Sequence, residues 1–266
     1  METKTEQNLA LEYLLPSVLY YTSTCFCSNI LFQILYYNKK NSNLKLLFYE
    51  LISSFTLVAC SMENGFIRKN FGDFSFLFVI FILSQVFSYI FPSPTAGTPC
   101  NSVIKYYNGE SCKSHCLLSI LFQIIGGCIA HVYARSWCSL GWTYFHKVKF
   151  ANTQCTSLVI PVGLGCLVEF GAVFSDGLID SYYSYKPYTS LISSKLKFTF
   201  KWIVSLTWIN YGVNWSGMYM NPVNASAQTI WCDNSYIISH LLVYWVSPLL
   251  AVAVAHGFKN SKPKSD

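Results

Sequence analysis

Trp215-Ser216-Gly217-Met218-Tyr219-Met220-Asn221-Pro222-Val223-Asn224-Ala225-Ser226 follows directly on an apolar run that ends near Val213. The stretch from Ser216 to Trp231 is too short to cross a bilayer, yet apolar runs flank it on both sides. A second stretch of the same kind, Thr95 to Asn108, contains Thr98-Pro99-Cys100 and follows the breaker cluster Pro92-Ser93-Pro94. At membrane depth, irregular backbone is tolerated only where it lines a cavity or is buried in protein. Broken segments at corresponding places in two halves of a chain point to a transport site near the bilayer midplane.

Working outward, the apolar runs are Leu9 to Tyr37, Leu44 to Met62, Phe74 to Phe91, Cys116 to Trp137, Leu158 to Ile179, Phe198 to Val213 and Ile237 to Phe258. The chain is 53% hydrophobic and only 11% charged. A soluble domain carries about a quarter charged residues, so the apolar excess must face lipid. The first run has no small-residue cleavage site after a short apolar core, which argues against a signal peptide. It either spans the membrane or lies along its interface.

Lys39, Lys40, Lys45, Lys186, Lys195, Lys197, Lys259, Lys262 and Lys264 fall on one side if six core spans begin at Leu44. Arg68, Lys69, Lys147 and Lys149 fall on the other, so the bias puts the C-terminus in the cytosol. The net charge of +6 therefore reads as a topology signal, and no basic run of the kind that binds nucleic acid is present.

Each half of the chain carries a lone glutamate inside an apolar run, Glu50 and Glu169, and each is followed about fifty residues later by one of the Pro-containing segments. Such a residue is expensive in a membrane and is functional or structurally paired. Its plain role is to accept backbone N–H groups; the other reading is proton transfer. Span, span, half helix, span recurs in both halves, and an odd number of spans per half makes the halves inverted.

Asn221-Pro222-Val223 resembles the second Asn-Pro-Ala loop of aquaporins, and Thr98-Pro99-Cys100 stands where the first should be. Glu50 and Glu169 resemble the buried glutamates of the first and fourth core helices. Gln123 with Gly126 and Gly127 is similar to the third helix, and Tyr244-Trp245-Val246-Ser247-Pro248 to the last. The altered first loop, the extra N-terminal segment and Cys232, nine places beyond Val223, resemble the superaquaporin branch.

The resemblance implies an all-α membrane protein: a right-handed bundle of six spans and two re-entrant half helices in inverted repeats, with an extra N-terminal apolar helix. Residues 1–40 would form the N-terminal tail and extra helix, 41–258 the channel (repeats 41–150 and 151–258), and 259–266 a cytosolic tail. It implies a homotetramer with one pore per subunit and no cofactor.

Asn221 would cap one half helix and turn its amide to the lumen, while Thr98 caps the other without an amide. By the same offsets Phe78, Ile209, Met218 and Asn224 form the outer constriction, where ordinary water channels carry an arginine in place of Asn224. Such a ring has no fixed cation and points to passage of water with small neutral solutes such as glycerol or hydrogen peroxide. The rival reading is a poorly conducting relative with a structural or partner role in an organelle. Lys262 and Lys264 resemble a dilysine signal for the endoplasmic reticulum; a solvated basic tail is the alternative.

The eleven cysteines are odd in number and lie mostly in apolar runs, so a disulfide framework is not expected. Cys232 reads as a packing residue beneath the second loop or as a redox-sensitive thiol. No metal site is expected, because cysteines and histidines show no ligand spacing. No nucleophile elbow or phosphate loop is visible, which speaks against an enzyme. The glycosylation patterns at Asn214 and Asn224 are expected to go unused.

Overall fold

The computed structural model describes residues 2–37, 42–91, 95–149, 157–185, 194–232 and 236–260, and these residues are helical with short connections. The breaker cluster Pro92-Ser93-Pro94 and the lysines Lys39, Lys40, Lys186, Lys262 and Lys264 lie outside the described residues. Two compact units form, and each is taken by itself: Met1–Gly97 with Leu118–Thr153, and Thr98–Leu117 with Gln154–Asp266.

The first unit holds α1 (Glu2–Tyr37), α2 (Ser42–Ile90), the greater part of α4 (Lys113–Ser139) and α5 (Tyr144–Lys149). Glu12–Tyr37 is long and apolar enough to cross a membrane. Hydroxyl-bearing residues Ser17, Tyr21, Thr24 and Ser28 recur along it at helical spacing and form a polar seam. The Ser17 hydroxyl donates to Glu63 at 2.6 Å and the Tyr21 hydroxyl to Asn64 at 2.7 Å. The Ser28 and Thr56 hydroxyls meet at 2.7 Å, and Phe32 stacks on Tyr49 at 4.2 Å. The partners of Ser17 and Tyr21 are Glu63 and Asn64, and those of Ser28 and Phe32 are Thr56 and Tyr49, so α1 runs antiparallel beside the first half of α2. Of the two placements open to the first run, this packing favours the spanning one. Helices in lipid gain little from apolar contact with each other, and interhelical hydrogen bonds of this kind supply attraction.

The sequence reading ends the second span at the polar stretch after Met62. Instead the helix continues, because Glu63 and Asn64 are buried and satisfied by α1, and His146 of α5 lies 3.2 Å from Glu63. The break comes at Gly72, whose φ of 81° lies in the left-handed region that glycine enters without steric cost. Helix α4 presses on α2 at Gly126, where a Cβ would stand 2.4 Å from the Leu51 carbonyl oxygen. Only glycine permits that approach.

The second unit holds α3 (Pro99–Tyr107), the start of α4, α6 (Val162–Tyr185), α7 (Ser194–Gly212), α8 (Pro222–Thr229), α9 (Ile237–Leu241) and α10 (Ser247–Asn260). A π-helical turn, Leu242–Val246, joins the last two. Pro248 explains it: proline has no N–H to give and its ring crowds the preceding turn, so the helix widens there. Helices α6 and α10 lie side by side, and α7 is tied to α6 by Ser205 to Asp176 at 2.9 Å and Lys201 to Asp180 at 2.6 Å. Among the described residues five helical stretches are long and apolar enough to span, and α7, which carries Lys195, Lys197 and Lys201, is not one of them.

Candidate functional site: two capped half helices

The two short helices begin alike. Thr98 (φ −140°, ψ 151°) and Asn221 (φ −142°, ψ 113°) are both in extended backbone, and each is followed by proline. Proline suits the first helical position, where the N–H would have no helical partner and where φ is already fixed. The Thr98 hydroxyl oxygen accepts from the Asn101 N–H at 3.2 Å. The Asn221 side-chain oxygen accepts from the Val223 N–H at 3.1 Å.

Helices α3 and α8 touch within the second unit. Cys100 and Met220 share one apolar cluster with Val173, Ala251 and Val252, which draws the first turns of both half helices together. Two helix N-termini, each carrying roughly half a positive charge, are thereby concentrated in one place.

The caps differ in what they have left to give. Asn221 is 5% exposed, and its Nδ2 amide is buried with no hydrogen-bond partner among the described residues. Leaving a buried donor unsatisfied costs about 1–3 kcal/mol. Thr98 brings one hydroxyl and no amide. Asn101 is exposed, with its backbone N–H used by the Thr98 cap.

A carboxylate holds the backbone leading into each half helix. Glu50 accepts from the Ala96 and Gly97 N–H groups at 2.7 and 2.8 Å, and from the Gln123 amide at 2.7 Å. Glu169 accepts from the Ser216 hydroxyl at 2.8 Å, the Tyr219 N–H at 3.1 Å and the Met220 N–H at 2.9 Å. The loop it holds is strained: Met218 and Met220 sit at φ 45° and 53°, conformations that cost a residue with a Cβ roughly 1–3 kcal/mol each. Three hydrogen bonds to one buried anion offset that strain.

Of the residues assigned to the outer constriction, Met218 (4% exposed) packs against Gly212, and Asn224 is buried with its side-chain oxygen accepting from Gln228 at 2.9 Å. Ile209 is half-buried on α7, and Phe78 lies on α2 of the first unit, exposed. Cys232, for which the sequence offered packing or a reactive thiol, is disulfide-bonded, whereas nine other cysteines are free. The sequence reading also missed the clasp on the back of α8. There Trp245 donates to Ser226 at 2.9 Å, and His240 lies 3.0 Å from both Ser226 and Thr229. These partners are distant in sequence, and no local pattern marks them. Of the two glycosylation patterns, the second is closed because Asn224 is buried, whereas Asn214 of the first is exposed and only its Ser216 is buried.

The class is that of a polytopic α-helical membrane protein with a pair of short, capped helices gathered at one site. No protein-family model matches the chain. It is 26% identical over 225 residues to Aquaporin-11 of Milnesium tardigradum, covering 84% of this chain and 78% of that protein. It is 27% identical over 222 residues to Putative aquaporin-10 of Caenorhabditis elegans, covering 80% of this chain and 75% of that one. The chain is aquaporin-like, and within that likeness superaquaporin-like.

Proposed function

We propose that the protein is a passive channel of aquaporin type that conducts water and small neutral solutes, with glycerol and hydrogen peroxide as candidates. The observation that carries this reading is the buried, unpartnered Nδ2 of Asn221 beside the capped start of α8. A solute that accepts a hydrogen bond there relieves the cost of the orphan donor and is oriented as it passes. The gathered helix N-termini oppose cations and protons. With no fixed cation at Asn224, a constriction formed by Ile209, Met218 and Asn224 selects weakly against small polyols. Thr98-Pro99-Cys100 supplies the second half helix with a hydroxyl in place of an amide, which favours a slower or less discriminating pore.

The likeness to superaquaporins favours a homotetramer in an intracellular membrane, the endoplasmic reticulum first. The disulfide at Cys232 fits a loop after α8 that faces an oxidising compartment.

Stopped-flow light scattering of liposomes containing the purified protein, challenged with an impermeant osmolyte and then with glycerol, tests this. Asn221→Asp keeps a capping oxygen and removes the amide donor. Fast water flux with glycerol entry, both lost in the variant, is the expected result. Flux equal to that of protein-free liposomes, with the protein folded and inserted, overturns it in favour of the structural-partner reading that the Thr98 cap feeds.

A further inference from the structure

His240 is 4% exposed and stands between two hydroxyls of α8. Its Nε2 is 3.0 Å from the Ser226 Oγ, and its Nδ1 is 3.0 Å from the Thr229 Oγ1. Counting protons decides what each contact can be. The Ser226 hydroxyl donates to the Pro222 carbonyl at 2.8 Å and accepts the Trp245 indole N–H at 2.9 Å. One lone pair remains, so Nε2 must bring a proton.

The Thr229 hydroxyl also donates to a backbone carbonyl, that of Ala225, at 2.8 Å. If His240 is neutral, Nδ1 is a lone pair, and the Thr229 proton must leave Ala225 to satisfy it. If His240 is charged, Nδ1–H donates to Thr229 and the bond to Ala225 stays. The Ser226 hydroxyl is then saturated, and all five contacts hold together only in the charged state.

Position reinforces the count. Thr229 is the last residue of α8, whose C-terminal end carries the negative pole of the helix dipole and favours a cation. On its own segment the ring faces Tyr244, centroids 5.3 Å apart, and Tyr219 packs edge-on to Tyr244 from the loop before α8. From α8 it meets only Ser226 and Thr229 as polar partners. Among the described residues no carboxylate or other cation bonds to the ring. Burial opposes the charge, and the hydroxyl pair and the dipole favour it, so the balance is set by pH.

We propose that His240 is a proton-responsive positioning residue: its protonation tightens the clasp on the back of α8 and holds the Asn221 cap in its conducting place. This deepens the channel reading and rests on it. It makes the site's conductance a function of pH, with permeability rising as pH falls.

The test is water permeability of proteoliposomes, with equal pH on both sides, between about pH 5 and pH 8, where histidine ordinarily titrates. Beside it, nitrogen NMR of histidine-labelled protein in the same liposomes reads the ring directly, with His240 assigned by its loss in His240→Gln. The wild type should gain roughly two- to tenfold in permeability on acidification, the population change one hydrogen bond can drive. His240→Gln, which donates and accepts but cannot titrate, should be flat across the range. Thr229→Val, which keeps the histidine and removes its acceptor, should shrink the response and serves if the glutamine variant does not fold. A wild type indifferent to pH, or a glutamine variant that keeps the full response, overturns the proposal. Absence of flux at every pH refutes the channel reading instead, and the spectra then decide this one. A second ring N–H appearing on acidification supports the clasp, and a ring that stays neutral throughout overturns it.

Discussion

Replacing Glu169 by glutamine changes one oxygen to an NH2 group and little else in shape. The carboxylate accepts three hydrogen bonds, from Ser216 and Tyr219 at one oxygen and Met220 at the other. Whichever way the new amide is turned, its NH2 faces a backbone N–H, of Tyr219 or of Met220. The Ser216 hydroxyl can rotate to accept, but a backbone N–H cannot. One buried donor is therefore orphaned, at about 1–3 kcal/mol, and the bonds that remain lose their charge assistance, for a total of roughly 2–4 kcal/mol. Glu169→Ala removes all three bonds to the anion, each worth about 1.5–3 kcal/mol, so its cost should be roughly twice as large. The left-handed Met218 and Met220 lose their restraint in both. Thermal melting of the detergent-solubilised protein should fall in the order wild type, glutamine, alanine. Cleavage of the 213–221 loop by a protease should rise in the same order. Equal melting of wild type and the alanine variant would refute the claim that this carboxylate holds the strained loop.

Two further substitutions probe the packing and the constriction. Gly126→Val puts a branched side chain where even a Cβ would meet the Leu51 oxygen at 2.4 Å, so α2 and α4 must part at a cost of about 1–3 kcal/mol or more. A lowered melting temperature and poorer recovery of monodisperse protein are expected, and unchanged melting would deny the close approach. Asn224→Arg adds a fixed cation and should lower glycerol flux more than water flux. An equal fall in both would remove Asn224 from the constriction.

The half helices were legible because their signals are local. Thr-Pro and Asn-Pro after an apolar run mark a cap and a first turn within three residues, and lone glutamates in apolar runs stand out by their cost. What the sequence hid depends on partners far along the chain. Glu63 and Asn64 read as the polar end of a span, yet Ser17, Tyr21 and His146 satisfy them and the helix runs on. The spacing of Ser17, Tyr21, Thr24 and Ser28 was available on the page and would have marked a docking face on α1. The clasp at His240 could not be seen, because its meaning lies in which hydroxyl protons are already committed. The pairing of Cys232 was equally out of reach, since an odd cysteine count argues against a framework without excluding a single bond.

The two carboxylates invite a different kind of comparison, since the chain contains both halves of it. At one place Glu50 holds Ala96 and Gly97, and at the other Glu169 holds Tyr219 and Met220. The same scaffolding solution occurs twice, while the caps it presents differ, threonine at one place and asparagine at the other. The loop and the cap above it are thus held by different groups, so a change at either cap leaves the carboxylate clamp beneath it intact.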